Sequence, residues 1–198
     1  MPKQVIVLLT EGFEEVEAVT PIGYLRRLGI EVTIAAVGAK SADGENLLIK
    51  SSRGIRVAAD TTLETLAKTG KLDPASWDAV VVPGGLPGAD NLASSAQTGA
   101  FLTAMSSAGK VVAAICASPA RVLAPLGILT GKAFTCAPGE ESKVPAGAEW
   151  KQDRVVVDGN IITSRSAGTA GEFACAIAAK LAGQAEAEKL AEKLLLLL

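Results

Sequence analysis

Three short apolar runs without polar alternation constrain the fold more than any other feature of this chain. Val5-Ile6-Val7-Leu8-Leu9, Ala79-Val80-Val81-Val82 and Val111-Val112-Ala113-Ala114-Ile115 contain no polar residue. A strand with one wet face alternates, so uninterrupted runs of this length point to strands covered on both faces. The first run is followed by Gly12 and by helical spacing from Glu14 to Leu28, which stops at Gly29, and Glu31 to Val37 repeats the strand signal. A strand-helix-strand start of this kind calls for a parallel sheet joined by right-handed crossovers.

The alternation continues along the chain. Leu47 to Ala59 alternates weakly around Arg53-Gly54 and reads as a hairpin, and Leu63 to Lys68 reads as a short helix. The second apolar run ends in Pro83-Gly84-Gly85, with Ala89 to Ala108 as one helix behind it. The third ends at Cys116, and helical spacing resumes over Ala117 to Leu126 without a linker. Val155-Val156-Val157 and Ile161-Ile162-Thr163 flank the turn Asp158-Gly159-Asn160, while Gly168 to Leu181 and Glu186 to Leu197 read as helices. No repeat, low-complexity linker or compositional break interrupts residues 1–198, which are expected to form one doubly wound α/β domain with a mostly parallel sheet. The five leucines from Leu194 to Leu198 fall far short of the ~20 residues of a membrane helix. They are expected to dock an amphipathic terminal helix on the body or on a partner subunit.

Composition removes whole classes of chemistry. The chain has no histidine, which excludes Ser-His-Asp and Cys-His-Asp/Glu triads, glutaminase-type amidotransferases, zinc hydrolases with His ligands and haem on a proximal His. Lys and Arg number 19 against 21 Asp and Glu, so no basic excess draws a phosphate backbone or anionic lipid, and neither nucleic acid nor a membrane is an expected partner. Cys116, Cys136 and Cys175 are odd in number, far apart and without Cys-x-x-Cys spacing. They argue for reduced thiols and against a disulfide framework or a metal site. Met1 to Gln4 leads straight into the first strand without the layout of a signal peptide, so a cytoplasmic location is expected.

In an open parallel sheet, ligands collect at the carboxyl ends of the strands, where Glu11 to Glu17, Pro83-Gly84-Gly85 and Cys116 all fall. Cys116 stands where a strand turns directly into helical spacing among small residues, the mechanical logic of a nucleophile elbow. Oriented N–H groups at a helix start would lower its pKa and make it nucleophilic and oxidisable, although a buried core cysteine fits the same position. Glu14 and Glu17 share a helix face on that sheet end; they suit the helix dipole, and a carboxyl buried beside the thiol would stay protonated and serve as acid and base. Gly84-Gly85 fits a plain turn, or a close backbone approach in which the Gly85 and Ala117 amides form an oxyanion hole. Gly84-Gly85-Leu86-Pro87-Gly88 lacks the Lys-Ser/Thr ending of a phosphate loop, so a nucleotide enzyme is unsupported. Cys175 in Phe173-Ala174-Cys175-Ala176-Ile177 reads as core.

These residues together resemble the ThiJ/PfpI superfamily, in the branch of the Parkinsonism-associated protein deglycase and its bacterial relatives. The resemblance runs through Glu14 to Glu17, Ser51-Ser52-Arg53-Gly54, Val82-Pro83-Gly84-Gly85, Ala113-Ala114-Ile115-Cys116-Ala117, and Thr163-Ser164-Arg165 with Gly168-Thr169. It implies a flavodoxin-like homodimer in which Cys116 is the reactive cysteine and Glu17 the protonated carboxyl that hydrogen-bonds it. It further implies that Gly84, Gly85 and Ala117 line the oxyanion site and that Arg53 approaches from the neighbouring subunit. The implied activities are cofactor-free conversion of the α-oxoaldehyde methylglyoxal to lactate, removal of early glycation adducts, and sensing of oxidative stress through a cysteine sulfinate. Two departures stand out: relatives often carry a pocket histidine in Thr-His-Pro where this chain has Thr135-Cys136-Ala137-Pro138, and Ser166-Ala167 stands where the branch reads Gly-Pro. Any proton transfer assigned to that histidine then falls to Glu17 or water. Strand alternation points Cys136 away from the pocket. Peptidase chemistry lacks its base.

Overall fold

A computed structural model describes residues 1–38 and 47–196. Among them a seven-stranded sheet runs in the order β10-β11-β7-β6-β1-β2-β5. Its strands are β1 (Gln4–Leu9), β2 (Glu31–Ala36), β5 (Thr61–Thr62), β6 (Ala79–Val82), β7 (Val111–Ile115), β10 (Val155–Asp158) and β11 (Ile161–Ser164). All neighbouring pairs are parallel except β10 with β11, whose antiparallel hairpin closes one edge. Two small ribbons stand outside the sheet: the hairpin β3 (Leu48–Lys50) with β4 (Arg56–Ala58), and the parallel pair β8 (Ala133–Phe134) with β9 (Glu149–Trp150).

The apolar runs behave as their lack of alternation requires. Val5, Val7 and Leu9 of β1 face one core together with Ala18, Ile22 and Leu25 of α1 (Glu15–Arg27) and Phe173 and Ile177 of α5 (Ala170–Ala182). Ile6 and Leu8 face the other, with Leu63 of α2 (Leu63–Lys68), Leu92 of α3 (Gly88–Ser94) and Phe101, Leu102 and Met105 of α4 (Ala96–Ser107). Each fully buried side chain of this size contributes about 1.5–3 kcal/mol of transfer free energy, so the central strands anchor both layers. This is a single-domain, doubly wound α/β fold of flavodoxin-like type.

Three local expectations are corrected. The helix over Ala89 to Ala108 is two helices, because Ser95 leaves helical geometry and its side chain accepts from the Thr98 amide as the N-cap of α4. Ala117 to Leu126 is not a regular helix: Pro119–Leu123 forms a π-helical turn, an irregularity common at functional sites. The helix expected from Gly168 opens with a tighter turn over Ala167–Thr169 before α5. At the end of the chain α6 (Gln184–Lys193) buries Ala187, Leu190 and Ala191 on the body, and Leu196 packs over Gly171 beside Tyr24. Leu197 and Leu198 lie outside the described residues. No helix among the described residues is long and apolar enough to cross a membrane.

Candidate active site

Six segments meet at the carboxyl end of the sheet: the start of α1, the β3–β4 hairpin, the loop after β6, the elbow after β7, the stretch after β8 and the loop after β11. They line a cavity of about 410 Å³ whose walls include Glu14, Glu17, Arg53, Gly85, Cys116, Ala117, Ala137 and Ala167, within the ~300–1,000 Å³ range of small-molecule sites.

Cys116 holds a left-handed backbone conformation, φ 65°, which a non-glycine residue adopts at a cost of order 1–3 kcal/mol. Hydrogen bonds on both sides fix it there: its N–H donates to the Ser164 carbonyl at 3.0 Å, and its carbonyl accepts from the Ala137 amide at 2.8 Å. The turn swings the partly exposed sulfur into the cavity, while Cys136 and Cys175 are buried in the body. Cys136 lies two residues beyond β8, outside any strand, and is buried in the core rather than on the cavity wall.

Glu17, one turn into α1, is fully buried. Its backbone amide donates to the Glu14 carboxylate at 2.7 Å, so Glu14 is the N-cap that starts the helix. Oε2 accepts from the Gly84 amide at 2.9 Å, whereas Oε1 is buried with no partner. Ionising a carboxyl buried this completely is costly. Burial pushes its pKa up to about 7, and the Glu14 charge adds to this; hydrogen bonds with the Cys116 thiol and the Gly84 and Ala167 amides oppose it without cancelling it.

The sulfur departs from the sequence expectation. Burial pushes the Cys116 thiol up to about 12, reinforced by the Glu17 charge and the hydrogen bond to Glu17, against the lowering influence of the Ala117 and Gly85 amides. The expected fall relied on a helix start at the sulfur, and the structure has a left-handed turn leading to a π-helical one. What the site holds is a coupled pair. Below about pH 7 both groups are neutral; above it the negative charge rests on the Glu17 carboxylate, and transfer of the thiol proton to that carboxylate produces the nucleophilic form.

Glycine is required where the segments touch. A Cβ on Gly84 would stand 2.6 Å from the Cys116 Cβ and 2.7 Å from Glu17 Oε2. Gly85 has φ +90°, and a Cβ there would meet the Glu14 nitrogen and the Gly12 carbonyl oxygen at 2.5 Å each. Gly85 and Ala117 line the cavity beside Cys116, and their amides hold the thiol's pKa down. Arg53 lines the cavity of its own chain, where the β3–β4 hairpin is tied to the segment before α1 by a hydrogen bond from the Ser52 amide to the Phe13 carbonyl at 2.7 Å. Ala137 and Ser166 lie on the cavity wall, so both departures from the superfamily pattern fall in the site.

Sequence reasoning missed three contributors. Ala167 faces Glu17 across the cavity wall, and its amide holds the carboxyl's pKa down. Ser118 bridges two loops, its hydroxyl donating to the Pro83 carbonyl at 2.6 Å. Arg121 binds Glu140 through Nε and Nη2 at 2.8 and 3.0 Å and Asp90 at 2.7 Å, clamping three segments of the wall. Only Ser118, next but one to the elbow cysteine, carried a positional signal.

Fold and site define a class: a doubly wound α/β protein with a strained elbow cysteine facing a buried, protonatable glutamate. The chain belongs to the DJ-1/PfpI family, whose model matches residues 3–180. Protein dj-1beta of Drosophila melanogaster is 38% identical over 196 residues, covering 98% of each chain. Its crystal structure superposes with a TM-score of 0.89 over the whole of both chains. Deglycase PH1704 of Pyrococcus horikoshii is 34% identical, covering 82% of this chain and 89% of its own. A solved structure of Toxoplasma gondii DJ-1 in oxidized form has a TM-score of 0.86 at 35% identity, covering 98% of each chain. The family places this chain among proteins with a DJ-1-type function.

Proposed function

We propose that this protein is a glutathione-independent glyoxalase of the deglycase type, acting on methylglyoxal and related α-oxoaldehydes or on their glycated adducts. The observation that carries the reading is Glu17, buried with a pKa near 7 against the only cysteine that opens into the cavity. A carboxyl poised there gives and takes protons equally well near neutral pH, so the reaction runs without an imidazole.

The steps balance without a cofactor. The Cys116 thiolate forms a bond to the aldehyde carbon, the carbonyl oxygen collects the negative charge between the Gly85 and Ala117 amides, and Glu17 protonates it. Glu17, now a carboxylate, removes the hydrogen from that carbon and returns it to the neighbouring keto carbon, while the hydroxyl proton passes to the neighbouring oxygen. The product is a lactoyl thioester on Cys116. Water adds to the thioester, the carbon–sulfur bond breaks, and the surplus proton restores Glu17. One carbon is oxidised and its neighbour reduced, so no outside electron acceptor is needed. Arg53 supplies a cation at the mouth. Exposed Val16, Val19 and Ile55 on α1 and the hairpin beside the cavity favour pairing with a second copy of the chain.

Methylglyoxal incubated with the protein in deuterated buffer without glutathione tests the reading by proton NMR. Stoichiometric lactate, with solvent deuterium entering only in part at its methine carbon, is the expected result for a single shielded carboxyl carrying the hydrogen. The absence of lactate overturns it. In that case a stable gain of two oxygens at Cys116 under mild peroxide would favour a redox-sensing, chaperone-like role, for which the oxidized Toxoplasma relative is the supporting observation.

A further inference from the structure

The geometry points to Ser118 as the positioning residue that holds the Gly85 and Ala117 amides in register around the sulfur. The inference rests on the reading of those amides as the anion-holding pair, and it is independent of any substrate.

The two amides come from different loops. The ladder between β6 and β7 ends at the pair Val82 and Ala114, beyond which the strands separate. A census of backbone groups in the two loops leaves little to join them. The Gly84 amide donates to Glu17, the Gly84 carbonyl accepts from the Glu14 amide at 3.0 Å, and the Gly85 carbonyl accepts from Ala89 at 2.8 Å. On the other loop, Cys116 bonds Ser164 and Ala137, and the Ala117 carbonyl accepts from Arg121 at 2.9 Å. None of these bonds joins one loop to the other: those of Gly84 and Cys116 lead to third segments, and those of the Gly85 and Ala117 carbonyls stay within their own stretch of chain. The bond from one loop to the other is that of the Ser118 hydroxyl to the Pro83 carbonyl, at 2.6 Å and wholly buried.

That bond sits between the two working amides in a direct sense. Pro83 precedes Gly84-Gly85, and Ser118 follows Ala117. A buried hydroxyl-to-carbonyl bond of this length fixes the peptide planes on either side, and its loss leaves the Pro83 carbonyl buried without a donor. The loops then relax apart, and the sulfur loses well-directed N–H groups that favour its anion. Oxyanion donors act through placement within a few tenths of an ångström, so a displaced pair loses part of the 10²–10³-fold effect that removing a donor outright causes, about tenfold.

The test is the rate at which iodoacetamide alkylates Cys116, read by intact mass across a pH series in the full chain. Buried Cys136 and Cys175 keep the signal specific. Ser118→Ala is expected to react about tenfold more slowly at pH 7 and to have its midpoint moved to higher pH. Ser118→Thr, which keeps the hydroxyl, is expected to return to within about twofold of the original. Leu102→Ala, a core truncation remote from the cavity, controls for lost stability and is expected to keep the original midpoint. An unchanged rate and midpoint in Ser118→Ala overturns the assignment, as does the same shift in Leu102→Ala. Should Ser118→Ala not fold, Ser118→Cys keeps the volume with a weaker donor, and a rate equal to the original overturns the assignment equally. A protein that forms no lactate still answers this experiment, so its failure and that of the proposed activity remain distinct.

Discussion

Cys116→Ser is expected to lower kcat/KM for lactate formation from methylglyoxal by at least ~1,000-fold, measured by lactate release without glutathione. The reason lies in the missing imidazole. A serine hydroxyl needs a strong base to become a nucleophile, and Glu17, with a pKa near 7, is too weak to ionise it. A thiol shares its proton with the same carboxyl far more readily. The other two cysteines are buried at 0% and 4% exposure and cannot substitute. A serine variant with more than a tenth of the original activity would move the chemistry to another group.

Glu17→Gln is expected to be more stable than the original protein at pH 8 and to lose that advantage toward pH 5. Burial raises this carboxyl from 4.5 to about 7 in the folded state. The folded chain therefore holds its proton more tightly than the unfolded chain, and the stability carried by the protonated form is complete below about pH 4.5 and lost as pH rises through 7. The charge buried at pH 8 costs about 3 kcal/mol, which for a chain of this size corresponds to roughly 5–10 °C in Tm. Glutamine keeps the shape and the bond from Gly84 without the charge. Thermal unfolding of both proteins at pH 5 and pH 8 reads the difference, and an equal gap at the two values would contradict a shifted Glu17. The variant is at the same time expected to lose turnover, the usual exchange of stability for function at a strained site.

The fold was legible because the central strands are written without ambiguity. Val5 to Leu9 and Val111 to Ile115 are covered on both faces, and no other element suits five such residues between turn signals. The break at Ser95 was not, because residues 89–108 are rich in small residues and contain no proline, and serine caps a helix only when the chain bends there. The elbow shows the same limit in a sharper form. Small residues around Cys116 announced a tight turn, but the left-handed backbone and the π-helical turn after it come from hydrogen bonds to Ser164 and Ala137, residues 48 and 21 positions away in the chain. For that reason the direction of the thiol shift was misread: the expected helix start is absent, and burial beside Glu17 dominates. The pairing of Glu17 with Cys116 rested on sheet topology and resemblance, since 99 residues separate them and no local spacing connects them. That Arg53 lines the cavity of its own chain was not legible, because a hairpin's direction depends on where its base is tied, here by the Ser52 amide to the Phe13 carbonyl.

The most direct test of the account is the ionisation of Glu17 itself, followed by the infrared carboxylic acid band that is present in the original protein and absent from Glu17→Gln. Titration from pH 4 to pH 9 is predicted to show this band persisting through pH 6 and disappearing with a midpoint near 7. A midpoint near the ordinary 4.5 would mean a permanently ionised carboxylate beside the sulfur, and the histidine-free proton transfer would have no donor.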